Sequence, residues 1–143
     1  MQTIYFGLQC DQTYFDGFDS IHIGNSVVGP IGLLRLLENF TGNSGYTDDV
    51  EFLRIEAYRK ALRATVNVNS DTFYAASFQV NEFATAKTLL SYRDELLLAG
   101  FDFKDKATMP VRLQQFCAIE AALATNMPFG YTERYVALLG ELR

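Results

Sequence analysis

The segment Gly24-Asn25-Ser26-Val27-Val28-Gly29-Pro30-Ile31 has the glycine spacing of a phosphate-binding loop that leads into a helix. A working loop of that type closes with Gly-Lys-Ser/Thr, so that the lysine meets the phosphates and the hydroxyl meets magnesium. Here Pro30 and Ile31 take those two places. Proline also deletes a backbone N–H that would help to cradle phosphate. Gly24, Gly29 and Pro30 therefore mark a degenerate nucleotide loop. The segment reads as a strand-to-helix turn without Walker-type ATP hydrolysis, and no cofactor is expected.

Three other groups of residues could do chemistry. Arg54, Arg59, Lys60 and Arg63 form the densest basic stretch. On a helix Arg59 and Arg63 share a face, as do Lys60 and Arg63, so a phosphate-contacting surface is one reading. Glu51 and Glu56 interrupt the charge, which favours a solvated helix surface. Arg93-Asp94-Glu95 offers two carboxylates, but neighbours on a helix point about 100° apart and do not converge on one substrate atom. A structural salt-bridge cluster, with Lys87 or a neighbouring helix, is the expectation. The two cysteines, Cys10 and Cys117, and the single histidine, His22, have neither zinc-ligand spacing nor the local signature of a cysteine–histidine nucleophile. Free buried thiols, no metal site and no catalytic residue are expected.

The elements that position these groups can be read from periodicity. Thr3-Ile4-Tyr5-Phe6-Gly7-Leu8 is β-branched and aromatic and reads as a central strand. Ile21-His22-Ile23 and Ser26-Val27-Val28 make one bent strand or a tight pair. Pro30 opens a helix with the apolar stripe Ile31, Leu33, Leu34, Leu36, Leu37 and Phe40, stopped by Gly42. Asp48 and Glu51 resemble a capping box for a helix over 49–65. Thr72-Phe73-Tyr74-Ala75-Ala76-Ser77-Phe78 reads as a further strand. Asn81 caps a helix over 82–99 that Gly100 ends. Further helices are expected over 110–125 and, capped by Thr132, over 133–142. The expected core is Tyr5, Phe6, Val28, Leu34, Phe52, Phe73, Tyr74, Leu90, Phe116 and Leu138. The element order implies an α/β fold, helix-rich, with a small parallel sheet and helices on its faces.

Composition bounds the function. The chain has 143 residues, 49 % of them hydrophobic and 20 % charged, which makes residues 1–143 one ordinary domain and excludes wholesale disorder. Twelve Lys and Arg stand against 17 Asp and Glu, and the formal net charge of −5 argues against a freestanding nucleic-acid binder. The first ten residues lack a signal peptide's basic start, and the longest uncharged run, 21–34, is broken by glycines and Pro30. A soluble cytoplasmic protein with no membrane contact is expected. The last helix is still running at Arg143, which fits the front piece of a longer chain.

Three stretches carry a resemblance. They are Val27-Val28-Gly29-Pro30-Ile31-Gly32-Leu33-Leu34-Arg35-Leu36-Leu37-Glu38; Phe73-Tyr74-Ala75-Ala76-Ser77-Phe78 running into Ala84-Thr85-Ala86-Lys87-Thr88-Leu89-Leu90-Ser91-Tyr92-Arg93-Asp94-Glu95-Leu96-Leu97-Leu98-Ala99-Gly100-Phe101; and Arg112-Leu113 leading to Ile119-Glu120. Their order and spacing resemble the N-terminal region of bacterial PD-(D/E)XK nuclease family proteins. That family is related to the AddB-type subunits of helicase–nuclease complexes that act in DNA repair and recombination. The resemblance implies a helicase-like first domain that has lost its ATPase motif. Its partners would be the remainder of a longer chain or a helicase subunit, with DNA reached through the parent protein. The nuclease motif would lie downstream, and no nuclease residue is carried over to this segment. The alternative is a self-contained interaction or scaffold domain with no nucleic-acid role.

Overall fold

The computed structural model describes residues 3–11, 24–43, 46–47, 49–104, 108–123 and 127–141. His22, the run 21–23, Asp48 and residues 124–126, at the end of the helix expected over 110–125, lie outside the described residues. The protein is helix-rich, with one small parallel sheet, and packing divides it into two compact units: 1–46 with 137–143, and 47–136.

In the first unit, β1 (Thr3–Phe6) and β2 (Asn25–Val28) pair in parallel, from Thr3 opposite Asn25 to Phe6 opposite Val28. Parallel neighbours need a crossover of a dozen or more residues, which the intervening chain supplies. The ladder continues at both ends, where Thr3 N–H donates to the Gly24 carbonyl (2.7 Å) and Gly7 N–H to the Val28 carbonyl (3.1 Å). The sheet has only these two strands among the described residues, and β1 is exposed along its length, with Tyr5 at 49 % and Phe6 at 53 %. The expectation of a buried central strand with Tyr5 and Phe6 in the core is therefore corrected. Strand propensity fixed the backbone, but two strands cannot enclose a face.

The helix α1 (Pro30–Thr41) follows β2 after one residue. Pro30 sits in its first turn, where a missing N–H costs no intrahelical bond. Gly42 ends it in the left-handed region at φ 81°, a conformation open to glycine, and Asn43 N–H closes the turn on the Glu38 carbonyl at 2.8 Å. Leu34 is fully buried, while Phe40, at the end of the expected stripe, is exposed.

The second unit is helical. It holds α2 (Glu51–Val68), α3 (Ala75–Val80), α4 (Glu82–Leu98), α5 (Val111–Leu123) and the start of α6 (Tyr131–Glu141). The helix α2 is central and packs on both α4 and α5. Its buried positions Arg54, Ile55, Tyr58, Ala61 and Leu62 recur at helical spacing. They meet Ala86, Leu89 and Leu90 of α4 and Phe116, Ile119 and Leu123 of α5. Asn81 caps α4 as expected, its side chain accepting from Ala84 N–H at 3.0 Å.

The expected strand over 72–78 is instead a turn followed by α3. The burial pattern gives the reason. Tyr74, Ala75 and Phe78 face the core while Ala76 and Ser77 are exposed, a spacing that suits a helical turn and not the alternation of a strand. Gln115 of α5 holds the preceding turn, its Oε1 accepting from Phe73 N–H at 3.1 Å and its amide donating to the Asp71 carbonyl at 3.4 Å. Of the expected core, Leu34, Tyr74, Leu90, Phe116 and Leu138 are buried. Phe52 is 65 % exposed and Phe73 39 % exposed. No helix among the described residues is long and apolar enough to cross a membrane.

Truncating a side chain measures this division. Leu62→Ala should lower the unfolding free energy by about 2–5 kcal/mol, because it empties a site enclosed by three helices. Phe52→Ala should cost less than about 1 kcal/mol in the same urea titration. Equal losses would show that the α2 faces are wrongly assigned.

Candidate functional site

Two places hold the residues picked out from the sequence. The first is the turn between β2 and α1. Gly24 takes φ 97°, and Gly29 precedes Pro30 in extended backbone. The first-turn N–H groups of α1 have no partner within the helix and concentrate the positive end of its dipole. In a nucleotide-binding loop a phosphate would sit there. Here the Asp11 carboxylate occupies it. One oxygen accepts from Gly29 N–H (3.1 Å) and Gly32 N–H (2.8 Å), the other from Ile31 N–H (2.6 Å). A Cβ on Gly29 would lie 2.5 Å from the Asp11 carboxyl carbon, so only glycine permits this approach. Desolvation alone would raise the pKa of the exposed Asp11, but the three N–H bonds and the Arg35 charge outweigh it and hold the carboxyl below its ordinary value. Asp11 stands 18 residues before Gly29 in the chain. No local pattern marks it, because the contact exists only once β1 and β2 are paired.

The second place is a buried ion network in the helical unit. Arg93 of α4 donates to Glu120 of α5 from Nε (3.2 Å) and Nη2 (2.8 Å). Its Nη1 donates to Asp94 (3.0 Å) and to Glu133 of α6. Arg54 of α2 pairs both nitrogens with Asp94 (3.1 and 3.0 Å) and donates from Nη2 to both oxygens of Glu133 (2.7 and 2.9 Å). Glu133 also reaches back to Gly130 N–H at 2.9 Å, which makes it the acidic half of a capping box for α6. The helix thus begins at Tyr131, ahead of the expected Thr132 cap. Gly130 is needed for space, since a Cβ there would strike the Arg54 guanidinium.

Two guanidinium groups and three carboxylates therefore tie four helices together. Arg54 and Arg93 are each no more than 6 % exposed. The cluster expected around Arg93 and Asp94 exists, with neighbouring helices as its partners. Lys87 instead lies 3.8 Å from Glu51. Asp94 points into the network while Glu95 is exposed, as their 100° offset requires. Burial alone would raise the Glu133 pKa, but Arg54, Arg93 and the Gly130 N–H outweigh it and hold the carboxyl low. A carboxylate that stays ionised has no proton to donate, and Glu133 already accepts from Arg54, Arg93 and the Gly130 N–H.

The basic stretch of α2 separates into parts. Arg54 is buried rather than on a solvated face, because it shares the inward stripe with Tyr58, Ala61 and Leu62. Arg59 is held by Glu56 (2.7 Å) and Glu82 (2.5 Å), and Arg63 also binds Glu82. Lys60 stands 4.0 Å from Glu56 and its side chain is 71 % exposed. The structure does not bring these four together as one phosphate-facing surface. Cys10 and Cys117 are not joined in a disulfide; Cys117 is buried with its thiol 3.9 Å from the Met109 sulfur, while Cys10 is half-buried rather than buried as expected. No cluster of three metal-ligating side chains exists among the described residues.

No protein-family model matches the chain, and no curated protein or solved structure matches it.

Breaking the network should be costly. Glu133→Gln leaves two buried guanidinium groups short of charge and should destabilise the protein by about 3–5 kcal/mol. Because the folded pKa of Glu133 is the lower, its contribution is complete above the ordinary carboxylate value of 4.5. It is lost as pH falls through the folded value. Urea titrations between neutral and acid pH should therefore show a steeper acid loss in the wild type than in Glu133→Gln. Parallel pH profiles would exclude this carboxylate as the source.

Proposed function

We propose that this chain is a non-catalytic, helicase-like domain of a PD-(D/E)XK-type DNA-repair nuclease, and that it serves assembly rather than turnover. The observation that supports this reading is the strand–loop–helix unit whose anion position is filled by Asp11. A parallel strand pair that feeds a helix through a glycine turn is the framework of a nucleotide site. In this chain the lysine, the hydroxyl and the vacancy for phosphate are all gone. The three resembling stretches run through that unit and through α3, α4 and α5, which carry packing and the buried network rather than reactive groups.

One observation favours assembly over direct DNA handling. Each arginine of the α2 basic stretch is already bound to carboxylates. Phosphate would have to displace those partners. The same observation favours the rival reading, an interaction domain unconnected with nucleic acid.

Two measurements test the proposal. Calorimetric titration with millimolar ATP·Mg, the regime of about −4 kcal/mol, should give no saturable heat. Saturable heat that disappears in Gly29→Val would overturn the degenerate-loop reading. The reading frame beyond codon 143 separates nuclease from scaffold. A downstream carboxylate-and-lysine nuclease pattern is expected, and an immediate stop codon would sink the nuclease assignment.

A further inference from the structure

A cleft of about 580 Å³ opens in the helical unit between α2, α4 and the start of α6. That volume is in the range of ligand and side-chain pockets. Ile55, Leu90 and Leu98 give it an aliphatic lining, and Tyr131 adds an aromatic wall. Its cations are all engaged. Arg54 is held by Asp94 and Glu133, Lys87 faces Glu51, and the Arg134 guanidinium lies over the Tyr131 ring at 5.2 Å from its centre. Among the described lining residues, the charged groups left without an ionic partner are two exposed carboxylates, Asp49 and Glu95.

We propose that this cleft docks an arginine-bearing segment of a partner protein. An aliphatic lining suits the alkyl stem of arginine, which covers apolar surface while its head stays polar. The planar guanidinium offers five donors and can satisfy carboxylates on more than one side. The unpartnered charge is all of one sign, so complementarity selects a cationic occupant. A second copy of the chain is disfavoured because each copy carries a net charge of −5. The inference deepens the assembly reading and rests on it only for the existence of a partner. Its test addresses the helical unit, whereas the ATP titration addresses the turn before α1, so the two can fail separately.

The test is an amide-resolved NMR titration of the whole chain with the peptide acetyl-Gly-Arg-Ala-Arg-Gly-amide. The matching peptide with glutamate in place of arginine is the control. The amides of Ser91, Glu95 and Thr132 should shift saturably with the arginine peptide alone. The double variant Asp49→Asn, Glu95→Gln should bind about tenfold more weakly, the sum of two exposed charge contacts. Each single variant should lose about threefold, which preserves the test if the double variant misfolds. Lys60→Gln, outside the cleft, should bind as the wild type does. Equal shifts with the glutamate peptide would overturn the proposal, as would unchanged affinity in the variants. Cleft shifts that appear on raising protein concentration without peptide would assign the surface to self-association instead.

Discussion

Arg54 and Arg93 are charges that cannot be left unpaired where they lie, and the helical unit is arranged around that requirement. Removing an ion from water costs several kcal/mol even after relaxation, so each guanidinium must be surrounded by acceptors. Asp94 lies beside Arg93 on the same helix. Glu120 comes from α5 and Glu133 from α6. A shift of one helix along its neighbour would separate at least one guanidinium from its carboxylate. Apolar packing by itself tolerates many such shifts. Directional charge-assisted bonds select one register.

The network also explains local features that look unrelated. Gly130 is required because its backbone passes against the Arg54 guanidinium. The start of α6 is fixed by the same Glu133 that closes the network, so one carboxylate caps its own helix and neutralises two others' charges. Phe103 adopts φ 52°, uncommon for a bulky residue, and its ring lies 5.8 Å from the Arg93 guanidinium. The loop after α4 thus closes over the charged cluster.

The first unit follows the same logic on a smaller scale. The positive end of α1 needs an anion, and Asp11 supplies it from the chain just after β1. The turn between β2 and α1 is thereby a closed structural joint. Both units therefore turn charge toward internal pairing.

Local signals in the sequence determined the ends of α1 and α4. Pro30, Gly42, Asn81 and Gly100 act on their own backbone, through a fixed φ, a left-handed turn or a side-chain cap, so neighbouring residues suffice to read them. That Pro30 and Ile31 stand where a nucleotide loop needs a lysine and a hydroxyl is legible for the same reason. Tertiary structure alone decided what spans distance. The run 72–78 is apolar enough for a strand, and only packing of Tyr74 and Phe78 on α2, α4 and α5 selects a helical turn. The sequence groups Arg54 with a basic stretch on a solvated helix face, because the acceptors that allow its burial lie 40 and 79 residues away. Asp11 reaches α1 across 18 to 21 residues. The strength of a charge–charge or charge–dipole contact depends on distance in space, and spacing along the chain carries no record of that until the chain has folded.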